Sequence, residues 1–320
     1  MNPAEERAGS CLCPVCGSHS AATIYAGLVD RQWTDLVPSR TFSYVKCRDC
    51  GLVYQTPVPC AEEIAAFYPG TGYYAYDPRS IPAPYEAVRR AGQRRSLASL
   101  AIARLYLPDV PFRHGGAVLD FGCGVGHYLD AMSAWGWTTW GVEINAPARV
   151  VAKGKGHSVV ERIDQVIEEC GPGRFDLVSM FQSIEHTSDP VNLLSVARDT
   201  LRPGGLLVVA TPNCASRLAK RYGLDWRGLE APRHLCVFAP ESLELALSGA
   251  GYVGQRLSTR FAASDLIGSL ALRHGGSHAS ILGSMVNRVP RRLLNGLAAS
   301  SRLLHSRGFS LLEATAFRAG

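Results

Sequence analysis

The sequence predicts an α/β fold, a mostly parallel sheet with helices on both faces, preceded by a small cysteine-rich module. Three observations predict it. From Ala117 onward, short apolar runs alternate with helical patterns, as in chains whose strands lie side by side and are joined by helices. A loop with glycine at every second position follows the first of those runs. Two Cys-x-x-Cys-Gly turns stand near the amino terminus, with thirty residues between Cys16 and Cys47.

Those turns are Cys13-Pro-Val-Cys16-Gly17 and Cys47-Arg-Asp-Cys50-Gly51. Each aims two thiolates at one point, and the following glycine relieves a tight backbone. Four sulfurs are what a closed tetrahedral zinc site needs, and they leave no open position for chemistry. Cys13, Cys16, Cys47 and Cys50 are therefore the expected ligands of a structural zinc ion. With strands expected at 23–25 and 41–46, the module resembles a zinc ribbon. A redox-active pair fits less well, because no strand–helix unit surrounds either turn. Cys11 is too close to Cys13 to join the same turn and is read as a spare thiol.

Next comes a stretch rich in tyrosine and proline, with Phe67, Tyr68, Tyr73, Tyr74 and Tyr76, expected to pack against the main domain or to line a pocket. Residues 84–107 read as one helix, with Arg89, Arg90, Arg94 and Arg95 on a solvated face. In the main domain, strands are expected at 117–121, 138–143, 158–160, 175–180 and 205–210. Helices are expected at 128–135, 146–153 and 191–201. Residues 264–302 read as helical. The expected division is a ribbon over 1–60, an aromatic loop and basic helix over 61–110, and the main domain over 111–320. That domain carries an insert at 214–240 and a helical segment at 262–305.

At 320 residues, with 47% hydrophobic and 19% charged residues, the composition is that of a soluble globular protein. A net charge of +6 suits an anionic substrate but falls short of a protein that coats nucleic acid. No apolar run is long enough to cross a membrane, and the first residues lack a signal-peptide core, so a cytoplasmic location is expected.

The glycine loop lies in Val118-Leu-Asp-Phe-Gly-Cys-Gly-Val-Gly126. At the carboxyl end of a strand in a parallel sheet, such a loop lets the backbone approach a nucleotide-like ligand. Its glycines lack the two-residue gap of the dinucleotide pattern. Asp120 at its entry would repel a pyrophosphate but attract a sulfonium and an amino group. Glu143 ends the next strand, where it can accept hydrogen bonds from both hydroxyls of a ribose.

These residues resemble the class I S-adenosylmethionine-dependent methyltransferases, in the branch related to ubiquinone-biosynthesis enzymes. Val118 to Gly126 is similar to that family's first motif and Trp140-Gly-Val-Glu143 to its second. The run Phe175-Asp-Leu-Val-Ser-Met-Phe-Gln-Ser-Ile-Glu-His186 resembles the fourth strand and its acid–histidine loop. Leu201-Arg-Pro-Gly-Gly-Leu-Leu-Val-Val-Ala-Thr-Pro-Asn213 resembles the turn and fifth strand. The resemblance implies a Rossmann-like sheet of seven strands, 252–259 and 310–318 supplying the last two and the final one antiparallel. It implies that Asp120, Phe121, Gly122, Gly124 and Gly126 hold the methionine end of S-adenosylmethionine. Glu143 would then hold the ribose, Ile144 would flank the adenine, Ile163 and Asp164 would approach it, and Gln182 would lie near the methyl group.

For the acceptor, two histidines are candidate bases, since histidine takes up a proton near neutral pH. His186 follows the fourth strand, and His234 lies in Trp226-Arg-Gly-Leu-Glu-Ala-Pro-Arg-His-Leu-Cys-Val-Phe238, an insert that could close over the acceptor. Arg233 could pair with an acceptor phosphate or carboxylate, or else with Glu230. His114 and His157 have no motif around them and are expected at the surface. The favoured function is methyl transfer to oxygen, nitrogen or carbon of a small molecule, a natural-product or saccharide precursor. The alternatives are a ribosomal-RNA methyltransferase that binds RNA through the ribbon, and a binding protein with an inactive methyltransferase fold. The first is disfavoured because the ribbon is not strongly basic, and the second because Asp120, the glycines and Glu143 are intact. Sequence alone leaves the oligomeric state open.

Overall fold

The structure is a computed structural model that describes residues 12–30, 41–68, 76, 78–79, 81–94, 96–107, 109–112, 116–274 and 308–320. Cys11, Tyr73, Tyr74, Arg95, His114 and most of the 262–305 segment lie outside the described residues.

The main sheet is built from β4 (Ala117–Phe121), β5 (Thr138–Val142), β6 (Ser158–Val160), β7 (Phe175–Phe181), β8 (Leu201–Pro212), β10 (Tyr252–Arg260) and β11 (Leu311–Arg318). Its order is β10-β11-β8-β7-β4-β5-β6. The pairs among β4 to β8 are parallel, while β11 runs antiparallel to both β8 and β10. The expected Rossmann-like sheet of seven strands, with an antiparallel last strand, is what forms. All five residues of β4 are buried, as a strand covered by helices on both faces requires. Each Val or Leu side chain enclosed there contributes roughly 1.5–3 kcal/mol.

The connecting helices are α4 (His127–Ala134), α5 (Ala146–Gly154), α6 (Ile163–Cys170), α7 (Pro190–Thr200) and α9 (Pro240–Gly249). Caps set their starts. Asn145 accepts from the Ala148 amide and Asp189 from the Asn192 amide, each with proline at the head of the helix. The helix expected over 84–107 is two, α2 (Ala83–Arg94) and α3 (Leu97–Tyr106). The break has a local cause: Ser96 is extended, and its hydroxyl accepts from the Ser99 amide, starting a new helix. On α2, Arg89 and Arg90 pair with Glu86.

The cysteine-rich module contains β1 (Ala21–Leu28), β2 (Phe42–Cys47) and β3 (Val53–Thr56), followed by the short helix α1 (Ala61–Ala66). A fourth strand, β9 (Cys236–Val237), completes its sheet. That strand comes from the 214–240 insert, which also holds α8 (Arg217–Tyr222), and pairs antiparallel with β3 at Val53↔Val237 and Tyr54↔Cys236. The division at residue 60 therefore does not mark a separable unit. Cys13, Cys47, Cys50, Leu52 and Tyr54 share one hydrophobic core with Leu119, Val178, Val209 and Phe238 of the main domain.

His157, expected at the surface, is buried. Its Nδ1 lies 2.8 Å from the Thr139 hydroxyl and its Nε2 3.0 Å from Asp130. The ring backs the glycine loop, and a Cβ on Gly126 would come within 3.0 Å of it.

Candidate active site

The first half of the site lies at the carboxyl ends of β4 and β5. Gly122, Gly124 and Gly126 all take positive φ, at 69°, 53° and 82°, which explains why glycine recurs at every second position. The Gly122 and Cys123 amides donate to the Val142 carbonyl at 2.8 and 3.2 Å, tying the loop to β5. Glu143 accepts from the Gly124 amide at 2.8 Å and from the Asn145 amide at 2.7 Å. Each of its oxygens keeps a second lone pair for a ribose hydroxyl. Ile144, beside it, is 67% exposed, an apolar surface suited to one face of an adenine.

Asp120 is buried beneath the loop and accepts from the Ser179 hydroxyl at 2.6 Å. Burial pushes its carboxyl up to about 7, with Ser179 opposing and Glu143 adding to the rise. A cation bound at the loop would restore its charge. Tyr85 of α2, Tyr128 of α4 and Phe181 surround this end, their ring centroids 4.9 to 6.3 Å apart. Cradle, acid and apolar flank fit S-adenosylmethionine.

The remaining cofactor candidates stand farther round. Ile163 and Asp164 open α6, and the half-exposed Asp164 is paired with Arg162. Gln182 is exposed just past β7 and takes φ 54°, a backbone that non-glycine residues rarely adopt.

The second half forms where the loop after β7 meets the insert. The rings of His186 and His234 meet edge to face, with centroids 4.8 Å apart. Nδ1 of His234 lies 2.9 Å from the Gly228 carbonyl, and Nδ1 of His186 lies 3.1 Å from the Arg233 carbonyl and 2.7 Å from the Tyr68 hydroxyl. A carbonyl oxygen only accepts, so Nδ1 of His234 carries the hydrogen and its Nε2 is left as the acceptor. Nδ1 of His186 meets both a carbonyl and a hydroxyl able to donate to it. His234 Nε2 lies 4.0 Å from Glu185 and 3.8 Å from Glu230.

Burial holds both imidazoles neutral, with His186 pushed down to about 3 and His234 also lowered. Burial raises Glu185 to about 8. Burial also works against the Glu230 charge, but the guanidinium groups of Arg227 and Arg233 are among the neighbours that overcome it and keep that carboxyl low. Donor atoms of Glu185, His186 and His234 lie within 4.8 Å of one another, so a metal ion is a second ligand this cluster could take.

Arg233 does not face an acceptor. Its side chain is fully enclosed and forks onto Asp30 at 2.7 and 2.9 Å, with Glu230 at 3.4 Å. Exposing the guanidinium to a substrate would strand a buried carboxylate. The insert likewise is no free lid, because β9 is paired with β3.

In the module the two knuckles are built alike. Gly17 and Gly51, both at positive φ, donate back to the Cys13 and Cys47 carbonyls, and the Cys13 and Cys47 amides donate to Ser18 and Leu52. Cys13 and Cys50 sulfurs are 3.6 Å apart and those of Cys16 and Cys47 3.5 Å. A tetrahedron with Zn–S near 2.3 Å has edges of about 3.8 Å, and all four sulfurs lie within 4.8 Å of one another, so the cluster could hold such an ion.

A seven-stranded sheet of this order, with a glycine loop and an acid at the ends of its first two parallel strands, defines a class I methyltransferase domain. The chain belongs to the family described as methyltransferase domain, whose model matches residues 90–256. It is 32% identical over 162 residues to a ubiquinone biosynthesis O-methyltransferase of Brucella anthropi, covering 45% of this chain and 63% of that one. It is 31% identical over 122 residues to the protein of the same name from Thiobacillus denitrificans, covering 36% and 51%. The alignments thus span between half and two thirds of these relatives. Among solved structures, phosphoethanolamine N-methyltransferase 2 of Haemonchus contortus, in complex with S-adenosyl-L-methionine, matches with a TM-score of 0.51. That match has 18% identity and covers 84% of this chain and 62% of that one.

Sequence reasoning missed Asp30, Tyr68 and Glu185 as site residues. Glu185 was within reach, as the acid of the Glu-His pair. Nothing in the sequence pointed to Asp30 or to the contact of Tyr68 with His186.

Proposed function

We propose that this protein transfers a methyl group from S-adenosylmethionine to a small-molecule acceptor, a natural-product or saccharide precursor with an oxygen, nitrogen or carbon nucleophile. The observation that carries this reading is the crevice formed by Asp120, the three left-handed glycines and Glu143. Family membership and the O-methyltransferase names of the curated relatives support it, and those names favour a hydroxyl acceptor.

The donor supplies an electrophilic methyl group on a sulfonium. The acceptor–carbon bond forms as the carbon–sulfur bond breaks, its electron pair leaving on sulfur. Asp120 and the glycine loop position the donor, and Glu143 fixes its ribose. Tyr85, Tyr128 and Phe181 keep water from the reacting end. The acceptor's proton passes to Nε2 of His234, which the Gly228 carbonyl holds in the tautomer able to accept it. Cys13, Cys16, Cys47 and Cys50 hold a structural zinc ion. Among the described residues no helix is long and apolar enough to cross a membrane.

The test is incubation with methyl-labelled S-adenosylmethionine and, in separate arms, a small-molecule extract or total RNA. Label in the extract supports the proposal. Label in RNA alone, or tight donor binding with no transfer in either arm, contradicts it.

A further inference from the structure

We infer that Asp30 and Arg233 are a positioning pair through which the four-cysteine module sets the two histidines of the active site. The inference rests on the methyl-transfer reading for its kinetic consequences, but not for its geometry.

Arg233 is the hub. Its Nη1 and Nη2 fork onto the two oxygens of Asp30 at 2.7 and 2.9 Å, with both side chains fully enclosed. Nη1 also donates to the Phe67 carbonyl at 3.0 Å. The planar guanidinium accepts this arrangement in one orientation, so the pair fixes direction as well as distance. Two backbone consequences follow. The Arg233 carbonyl is presented to His186 Nδ1 at 3.1 Å, and the residue after Phe67, Tyr68, reaches the same nitrogen at 2.7 Å. Both neighbours of His186 Nδ1 are thus set by one side chain.

The flanking contacts come from the module as well. The Tyr44 hydroxyl donates to the His234 carbonyl at 2.8 Å, and the Gln55 amide to the Leu235 carbonyl at 2.9 Å. The Leu235 amide donates to the Glu185 carbonyl at 2.7 Å. The chain on either side of His234 is therefore held between the module and the loop after β7.

The test uses the full chain with the imidazole nitrogens labelled, read by nitrogen NMR. In the unaltered protein His186 shows a single tautomer. In Asp30→Asn, His186 becomes a mixture of tautomers. Methyl transfer falls at least tenfold in kcat, and the Kd for S-adenosylmethionine stays within threefold. Because a lone buried guanidinium can unfold the chain, Asp30→Asn combined with Arg233→Met removes both charges. It should remain folded by near-ultraviolet circular dichroism and show the same tautomer mixture. Asp30→Glu, which keeps the carboxylate, should restore part of the single-tautomer signal and part of kcat. A folded double variant with His186 still in one tautomer overturns the inference, as does equal loss of kcat and donor affinity in Asp30→Asn. If the unaltered protein methylates nothing, the functional reading fails alone, and the tautomer of His186 still decides this one.

Discussion

The two halves of the proposed active site are built by different means. The donor half is made from backbone: strand ends, three left-handed glycines and amides that meet Glu143 within 2.8 Å. The acceptor half is made from side chains that three distant segments bring together, around residues 30, 67–68 and 226–238, against the loop after β7. A backbone site is specified by the fold itself. A side-chain site depends on each segment docking correctly, and here the cysteine module does the docking. Altering one half should therefore leave the other nearly intact.

Four changes would break or sharpen that contrast. The largest effect is expected from Cys47→Ser with Cys50→Ser. Zinc binding is worth about 10–16 kcal/mol in small folded modules, and losing even part of it should lower Tm by more than ~10 °C. Calorimetry and metal analysis read this directly; retained zinc or an unchanged Tm would contradict the four-cysteine site. Next, Glu143→Ala removes a charged acceptor, with an expected loss of roughly 10- to 100-fold in S-adenosylmethionine affinity by titration calorimetry. Unchanged affinity would remove Glu143 from the donor half.

Asp120 gives a pH signature. Its carboxyl, raised by burial from 3.8 to about 7, binds a proton more tightly folded than unfolded. That contribution to stability is present below about pH 4 and is lost as pH rises through about 7. A bound cation has the opposite preference, so donor affinity should increase with pH, by up to about tenfold per unit below 7. Asp120→Asn should flatten this dependence, and a profile that persists in the variant would assign it to another group. The smallest effect is expected at Ile144, where replacement by alanine removes an exposed apolar face. Donor affinity should fall only about threefold, with no change in Tm. A larger loss of stability would mean that Ile144 packs rather than binds.

The same contrast governs what could be read from sequence. The donor half was legible because its residues are contiguous or lie at strand ends. The glycine spacing, the acid at 120 and the acid at 143 each have a local physical cause. The four cysteines were legible for the same reason, as two copies of one turn. The acceptor half was only partly legible. His186 and His234 stand out as residue types, but Asp30 reaches Arg233 across 203 positions, and no periodicity reports such a pair. Arg233 looked like a substrate ligand because its partner lay far away in the chain. β9 is two residues long, too short for any alternation, so the joining of insert and module could not be foreseen. The division of 84–107 was more accessible, since Ser96 followed by an apolar run is a cap signal. His157 was misplaced because its partners, Thr139 and Asp130, meet it only once the sheet and α4 are assembled.

The most direct test of the two-part site is His234→Ala, with methyl-transfer rate and S-adenosylmethionine Kd measured on the same preparation. The rate should fall by roughly 10²- to 10⁴-fold, as for loss of a proton-accepting side chain, while Kd changes less than about threefold. Equal losses in both, or an unaltered rate, would contradict the division of labour and the role given to His234.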